Sequence, residues 1–177
     1  MGIIDLIGDS RRDRRRRPPV VDKFKSLSYF GPYPSHAALA RRSSVQVFGT
    51  DYPTPDGTAI RDYVHVSDLA RAHVLALEHL LNGGESIAVN LASGQGASVR
   101  QVIETACDVT SCKIVVREVE RRSGDPSVLV AEAALAREVL GWSAQRSGLA
   151  TMVADAWRWH RKRFGTGTNV ADSLVPP

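Results

Sequence analysis

With 177 residues, of which 43% are hydrophobic and 24% charged, the chain is long enough for one domain with a proper core and short for a two-lobed enzyme. Its net charge of +4 is uneven: residues 1–45 hold ten Lys or Arg against four Asp, which leaves −2 for the rest, so nucleic-acid binding by the folded part is not indicated. No apolar run approaches the roughly 18 residues of a membrane span, and Asp5 and Asp9 stand where a signal peptide would be apolar; the expected address is cytoplasmic, with no membrane partner.

Residues 1–34 read as a basic, Pro-rich segment without fixed structure, because Arg14–Arg17 repel one another and Pro18, Pro19, Pro32 and Pro34 resist helix. Ser35–Arg42 has the composition of a short helix. Val45–Phe48 alternates like a half-buried strand, and Pro53, Pro55, Asp56 and Gly57 supply a turn after it. Ser67 is the expected N-cap of a helix whose Leu69, Ala72, Ala76, Leu77 and Leu80 share a face until Gly83 and Gly84 stop it. Ile87–Leu91 reads as a short strand. Ser98 and Gln101 form a capping box for a helix that buries Val99, Val102, Ile103 and Ala106. Lys113–Val119 and Leu129–Ala131 are predicted strands, Glu132–Leu140 a helix closed by Gly141, and Leu149–Arg163 a last helix with Met152, Val153, Ala156, Trp157 and His160 on one side. Residues 165–177 read as a flexible tail. The alternation of strands and helices is that of an α/β domain without internal repeat.

Few residues suggest chemistry on pattern alone. Cys107 and Cys112 have no Cys or His pair at zinc spacing around them and read as plain thiols, so no metal site is expected. Gly94-Gln95-Gly96 follows a strand and precedes a helix, but the third glycine of a dinucleotide fingerprint is replaced by Val99, so the stretch reads as a loop turning a strand into a capped helix. Arg61 is either half of an ion pair beside Asp62 or a fork for phosphate oxygens. The run Arg121–Pro126 ends a strand, where α/β folds place ligand contacts, but taken alone it reads first as a solvated charge cluster with a turn. Phe48 and Leu129 are plausible core residues.

The stretch from Val47 to Ala70, VFGTDYPTPDGTAIRDYVHVSDLA, closely resembles the central signature of UDP-galactose 4-epimerases of the extended short-chain dehydrogenase/reductase class. The resemblance continues to about Phe164 and includes an RRxGDP element at Arg121–Pro126. It implies the substrate-binding domain of a Rossmann-type epimerase over 35–164, with the dinucleotide-binding half largely absent. It also implies a substrate surface for UDP-sugars: Phe48 beside the uracil, Arg61 and Arg122 on the diphosphate, Asp125 accepting from ribose hydroxyls with Gly124 letting the backbone approach, and Leu129 lining the sugar pocket. Asp62, Tyr63 and His65 are read as fold-holding residues.

Family members use tightly held NAD and a Tyr-x-x-x-Lys pair. Here Tyr29, Tyr33, Tyr52 and Tyr63 are followed four residues on by Tyr33, Ala37, Asp56 and Ser67, so no catalytic and no cofactor-binding residue is expected. The expectation is therefore a truncated UDP-glucose 4-epimerase, inactive by itself. The alternative is a non-catalytic binding or interaction module whose Arg-rich tail meets an acidic partner. Apolar faces on the helices near Ser67 and Leu149 would lack their usual cover, inviting association with another chain and only marginal folding.

Overall fold

The computed structural model describes residues 2–5 and 44–164. The expected unordered stretch from 6 to 34, the expected helix at 35–42 and the tail at 165–177 lie outside those residues. At the start of the chain the expectation of disorder meets a strand, β1 (Gly2–Asp5), which runs antiparallel to β4 (Ala88–Leu91) with Gly2 opposite Leu91. Two adjacent isoleucines give this segment a β-branched core, and β4 offers an edge to pair with.

The parallel pair β2 (Val45–Phe48) and β6 (Val116–Val119) is in register Val45↔Val116. Strand β2 buries Val45 and Val47 and exposes Gln46, as its alternation predicts. Against it lies α2 (Val99–Thr110), started by Ser98, whose hydroxyl accepts from the Gln101 N–H at 3.1 Å while the Gln101 side chain accepts from the Ser98 N–H at 2.8 Å. Val45, Val47, Ile103, Ala106 and Ile114 form one apolar cluster, completed from outside by Val153 of α4 (Leu149–Phe164).

A second cluster joins α1 (Val66–Leu81), β4 and α3 (Ala134–Leu140) around Ala72, Ala76, Val89, Leu91, Ala136 and Leu140, with Trp142 fully buried among them. Helix α3 ends as expected at Gly141 in the left-handed conformation. Between the clusters a three-stranded sheet runs in the order β5-β3-β7: β3 (Ile60–Asp62) is antiparallel to β5 (Gly96–Ser98) and parallel to β7 (Val128–Leu129). The architecture is the expected mixed α/β one.

Strands β3 and β5 were not foreseen. Each has three residues, and Ile60 is the one β-favouring residue in IRD and GAS; their pairing is imposed by neighbours. The cap of α1 also differs. His65, not Ser67, is the N-cap: its Nδ1 accepts from the Ser67 N–H at 3.0 Å, so the ring proton is on Nε2, 3.2 Å from Asp155 Oδ2. Helix α3 begins two residues after its predicted start, and β6 is shorter than predicted because Ile114 packs inward from a non-strand position.

Asp68, in the first turn of α1, is 3% exposed. Its carboxylate accepts from the Ser147 hydroxyl at 2.7 Å and the Arg146 and Gln145 N–H groups at 2.8 and 3.1 Å, while its carbonyl accepts from Trp142 Nε1 at 2.8 Å. Burial alone would raise its pKa, but the Ser147 hydroxyl and the two backbone donors outweigh it and hold the carboxyl below its ordinary value. On the outer face of α1, Val66, Val74, Leu77 and Leu81 are exposed; Leu77 was placed on the buried face by spacing. No helix among the described residues is long and apolar enough to cross a membrane.

Asp68→Ala removes the buried acceptor of three part-buried donors and is expected to destabilise the chain by about 2 kcal/mol, read as a lowered urea midpoint at constant slope. Because the folded pKa of Asp68 lies below that of the unfolded chain, about 3.9, its stabilisation is complete above that value and is lost as pH falls through it toward the folded pKa. Asp68→Asn is expected to show a flatter loss of stability between about pH 4 and pH 2 than the wild type, followed by circular dichroism.

Candidate functional site

Because β2 and β6 are parallel, their C-terminal ends share one edge, the position at which open α/β sheets receive ligands. Phe48 ends β2, and Arg122 follows β6 by three residues. The Arg122 guanidinium lies over the Phe48 ring, 3.8 Å from its centroid. Arg121 is anchored separately: its Nε donates to Asp51 Oδ1 at 2.6 Å, its Nη2 donates to the Asp51 carbonyl, and the guanidinium covers the Tyr52 ring at 4.3 Å. That hydrogen bond from Arg121 holds the Asp51 carboxyl below its usual range. The turn after β2 and the segment after β6 are thus tied together beside the Phe48–Arg122 stack.

The segment after β6 then turns back. The Asp125 N–H donates to the Arg122 carbonyl at 3.2 Å, Gly124 adopts φ +76°, and Ile60 N–H donates to the Ser127 carbonyl at 2.8 Å as β7 joins β3. Nothing approaches within 4 Å of where a Gly124 Cβ would stand, and the positive φ of this glycine serves the turn. Arg61 on β3 donates from Nη2 to Asp125 Oδ1 at 2.5 Å and from Nη1 to the Ile60 carbonyl at 2.7 Å; the two side chains are 21% and 31% exposed. The ion-pair alternative for Arg61 holds with a different acid from the one adjacent in sequence. Leu129 is the register partner of Arg61 and is 39% exposed, more open than a core strand residue would be.

The five residues singled out from sequence therefore form two contact pairs, Phe48–Arg122 and Arg61–Asp125, joined by the turn from 122 to 125, with Leu129 beside Arg61 in the sheet. The Asp51–Tyr52–Arg121 clamp went unseen, since its partners are 70 residues apart and only the turn residues lie in the recognised run.

Asp62 is 3% exposed and accepts from the Ser93 N–H and hydroxyl at 2.9 and 2.6 Å and from the Gly94 N–H at 3.0 Å. The Gly94 N–H that a Gly94–Gly96 loop would turn to a pyrophosphate is thus committed to a carboxylate and the Gln95 N–H to the Ser93 hydroxyl at 3.1 Å, and a Cβ on Gly96 would stand 2.6 Å from Ile60 Cγ2 and 2.8 Å from Val130 Cγ2. Gly96 is small so that β5 can lie on β3. That loop does not fit a dinucleotide. Burial drives the Tyr63 phenol well above its ordinary pKa, against a smaller opposing effect of Arg61, the reverse of what a general base needs. Among the described residues no three His, Cys, Asp or Glu side chains are grouped to hold a metal ion. A groove between α2 and α4, lined by Val109, Ala154, Trp157, Arg158, Arg161 and Lys162, shares no residue with the Phe48–Asp125 cluster.

The profile of the NAD dependent epimerase/dehydratase family matches residues 27–92. UDP-glucose 4-epimerase of Halalkalibacterium halodurans is 47% identical over 135 residues, which is 76% of this chain and 40% of that protein; the enzyme of Rhizobium meliloti is 48% identical over 132 residues, 75% of this chain and 40% of that protein. The chain thus spans about 40% of the length of the curated relatives it matches. Among solved structures, the UDP-glucose 4-epimerase of Stenotrophomonas maltophila with bound NAD and formylated UDP-arabinopyranose superposes with TM-score 0.72 at 46% identity, covering 77% of this chain and 40% of that one. The Bifidobacterium longum enzyme in complex with NAD+ and UDP gives 0.71 at 35% identity, covering 78% and 41%. The fold of the described residues is that of part of a Rossmann-type UDP-glucose 4-epimerase, and the chain belongs to the NAD dependent epimerase/dehydratase family.

Proposed function

We propose that the edge carrying Phe48, Arg61, Arg122, Asp125 and Leu129 binds a uridine diphosphate sugar, and that the 177-residue polypeptide does so without epimerising it. The observation that carries the reading is an aromatic ring under one guanidinium at the C-terminal ends of the parallel strands β2 and β6, joined through the turn at 122–125 to a second guanidinium paired with a carboxylate. The activity named for the relatives, and the UDP-bearing ligands in two of the neighbouring structures, support the same ligand class.

Each group has a chemical part in this reading. The Phe48 face stacks on a flat pyrimidine, Arg122 and Arg61 supply charged donors to the diphosphate, Asp125 accepts from the ribose diol, and Leu129 offers an apolar wall to the hexose. In the described chain the Phe48 face is covered by Arg122 and one edge of Arg61 by Asp125, so a ligand binds by replacing these contacts. Their loss is part of its cost.

Epimerisation at a carbinol carbon needs a hydride acceptor and a base. NAD would supply the first when bound, but the Gly94–Gly96 loop does not accommodate it, and none of the four tyrosines precedes a lysine at the spacing of the family's base. Arg61 and Arg122 bind ground state and transition state alike, which lowers no chemical barrier. The residues present hold a substrate; they do not turn it over.

Calorimetry of the purified chain with UDP is expected to show binding, and Arg122→Ala to weaken it at least tenfold, the magnitude of one charge-assisted contact of about 1.5–3 kcal/mol; an unchanged affinity would refute the diphosphate role. Incubation with NAD and UDP-galactose is expected to yield no UDP-glucose. Turnover by the purified chain alone would show that a base and a cofactor site have been overlooked.

A further inference from the structure

We infer that Asp125 is a specificity-determining residue, whose carboxylate denies Arg61 to bare phosphates and yields it only to a diphosphate that also carries a vicinal diol. The inference rests on the nucleotide-sugar reading of the edge and concerns which anions the edge rejects.

The two guanidinium groups differ in what they touch. Arg122 lies on the neutral Phe48 ring at 3.8 Å, a contact that an incoming anion does not oppose. Arg61 donates to a full carboxylate at 2.5 Å. Its adjacent acid, Asp62, is buried and committed to Ser93 and Gly94, so Asp125 is the carboxylate that faces the guanidinium. The backbone keeps it there: the Asp125 N–H is tied to the Arg122 carbonyl, and β7 begins three residues later.

An anion arriving at Arg61 therefore meets a group already neutralised by a partner of its own sign. Inorganic phosphate or pyrophosphate must displace Asp125 or sit beside it, which sets its negative charge against the carboxylate with no diol to solvate the displaced oxygens. A ribose has two adjacent hydroxyls. Both can donate to the carboxylate, so Asp125 exchanges an ionic partner for two neutral ones while Arg61 turns to the diphosphate. The pair acts as a filter because its two halves must be relieved by different parts of one ligand. The pair is partly exposed, so the discrimination is moderate in size.

The test is calorimetric titration of the full 177-residue chain with UDP and, separately, with inorganic pyrophosphate, for the wild type, Asp125→Asn and Arg61→Ala/Asp125→Asn; Asp125→Ser is carried alongside, with circular dichroism, so that a folding defect in one substitution cannot pass for a result. Asp125→Asn is expected to tighten pyrophosphate about three- to tenfold, the effect of removing one like charge near a partly exposed anion site, while the ratio of UDP to pyrophosphate affinity falls. A merely structural role for Asp125 would weaken both ligands together. The gain should vanish in the double variant. Pyrophosphate affinity that is unchanged or weaker in Asp125→Asn and Asp125→Ser, or a gain that survives loss of Arg61, overturns the filter while UDP binding still upholds the nucleotide site. Failure of the wild type and of every variant to bind UDP overturns the site reading, and the filter with it.

Discussion

Three carboxylates spaced six residues apart fasten the recognised run to the rest of the chain. Asp56 accepts from Thr58 and from the Ser98 hydroxyl, Asp62 from Ser93 and Gly94, and Asp68 from Ser147 and the backbone at 145 and 146. Each charge is solvated by N–H and O–H dipoles, which replace the water lost on burial. Asp62 fixes the loop before β5, Asp56 the cap of α2, and Asp68 the crossing from α3 to α4. With these contacts in place β3 has no freedom to slide, and Arg61 projects from a strand whose two neighbours come from distant parts of the chain.

The same logic separates the two arginines that flank the site from their neighbours in sequence. Arg121 is held by Asp51 and Tyr52, so its charge serves the turn; Arg122, one residue on, lies over the Phe48 ring. Arg61 is engaged by an acid 64 residues away, while Asp62 beside it faces inward. Adjacent charged residues thus divide between different partners, Arg121 and Asp62 holding the fold while Arg122 and Arg61 stand at the candidate site.

Much of this was legible from residues alone. Valines alternating before Phe48, the reciprocal Ser98–Gln101 cap and Gly141 after Leu140 each encode a local backbone preference, and each was found where expected. What failed to show was what depends on distant partners. Ile60–Asp62 and Gly96–Ser98 become strands because they meet each other and Val128–Leu129. His65 caps α1 through an imidazole nitrogen whose tautomer is fixed by its neighbours Ser67 and Asp155. The resemblance singled out Phe48, Arg61, Arg122, Asp125 and Leu129 one at a time; that the first four occur as two mutually engaged pairs is a property of the turn at 122–125, which no spacing in the sequence announces.

Trp142, with no exposed surface, sends its indole N–H to the carbonyl of Asp68, whereas Trp159 is more than half exposed on α4. The chain therefore carries one indole in a dry, apolar setting at the junction of α1, β4 and α3, and two on α4, Trp157 half-buried and Trp159 open to water. Their emission bands separate by environment, so the colour of the fluorescence distinguishes loosening of the α1–α3 half from loosening of the α2–α4 half without any label attached.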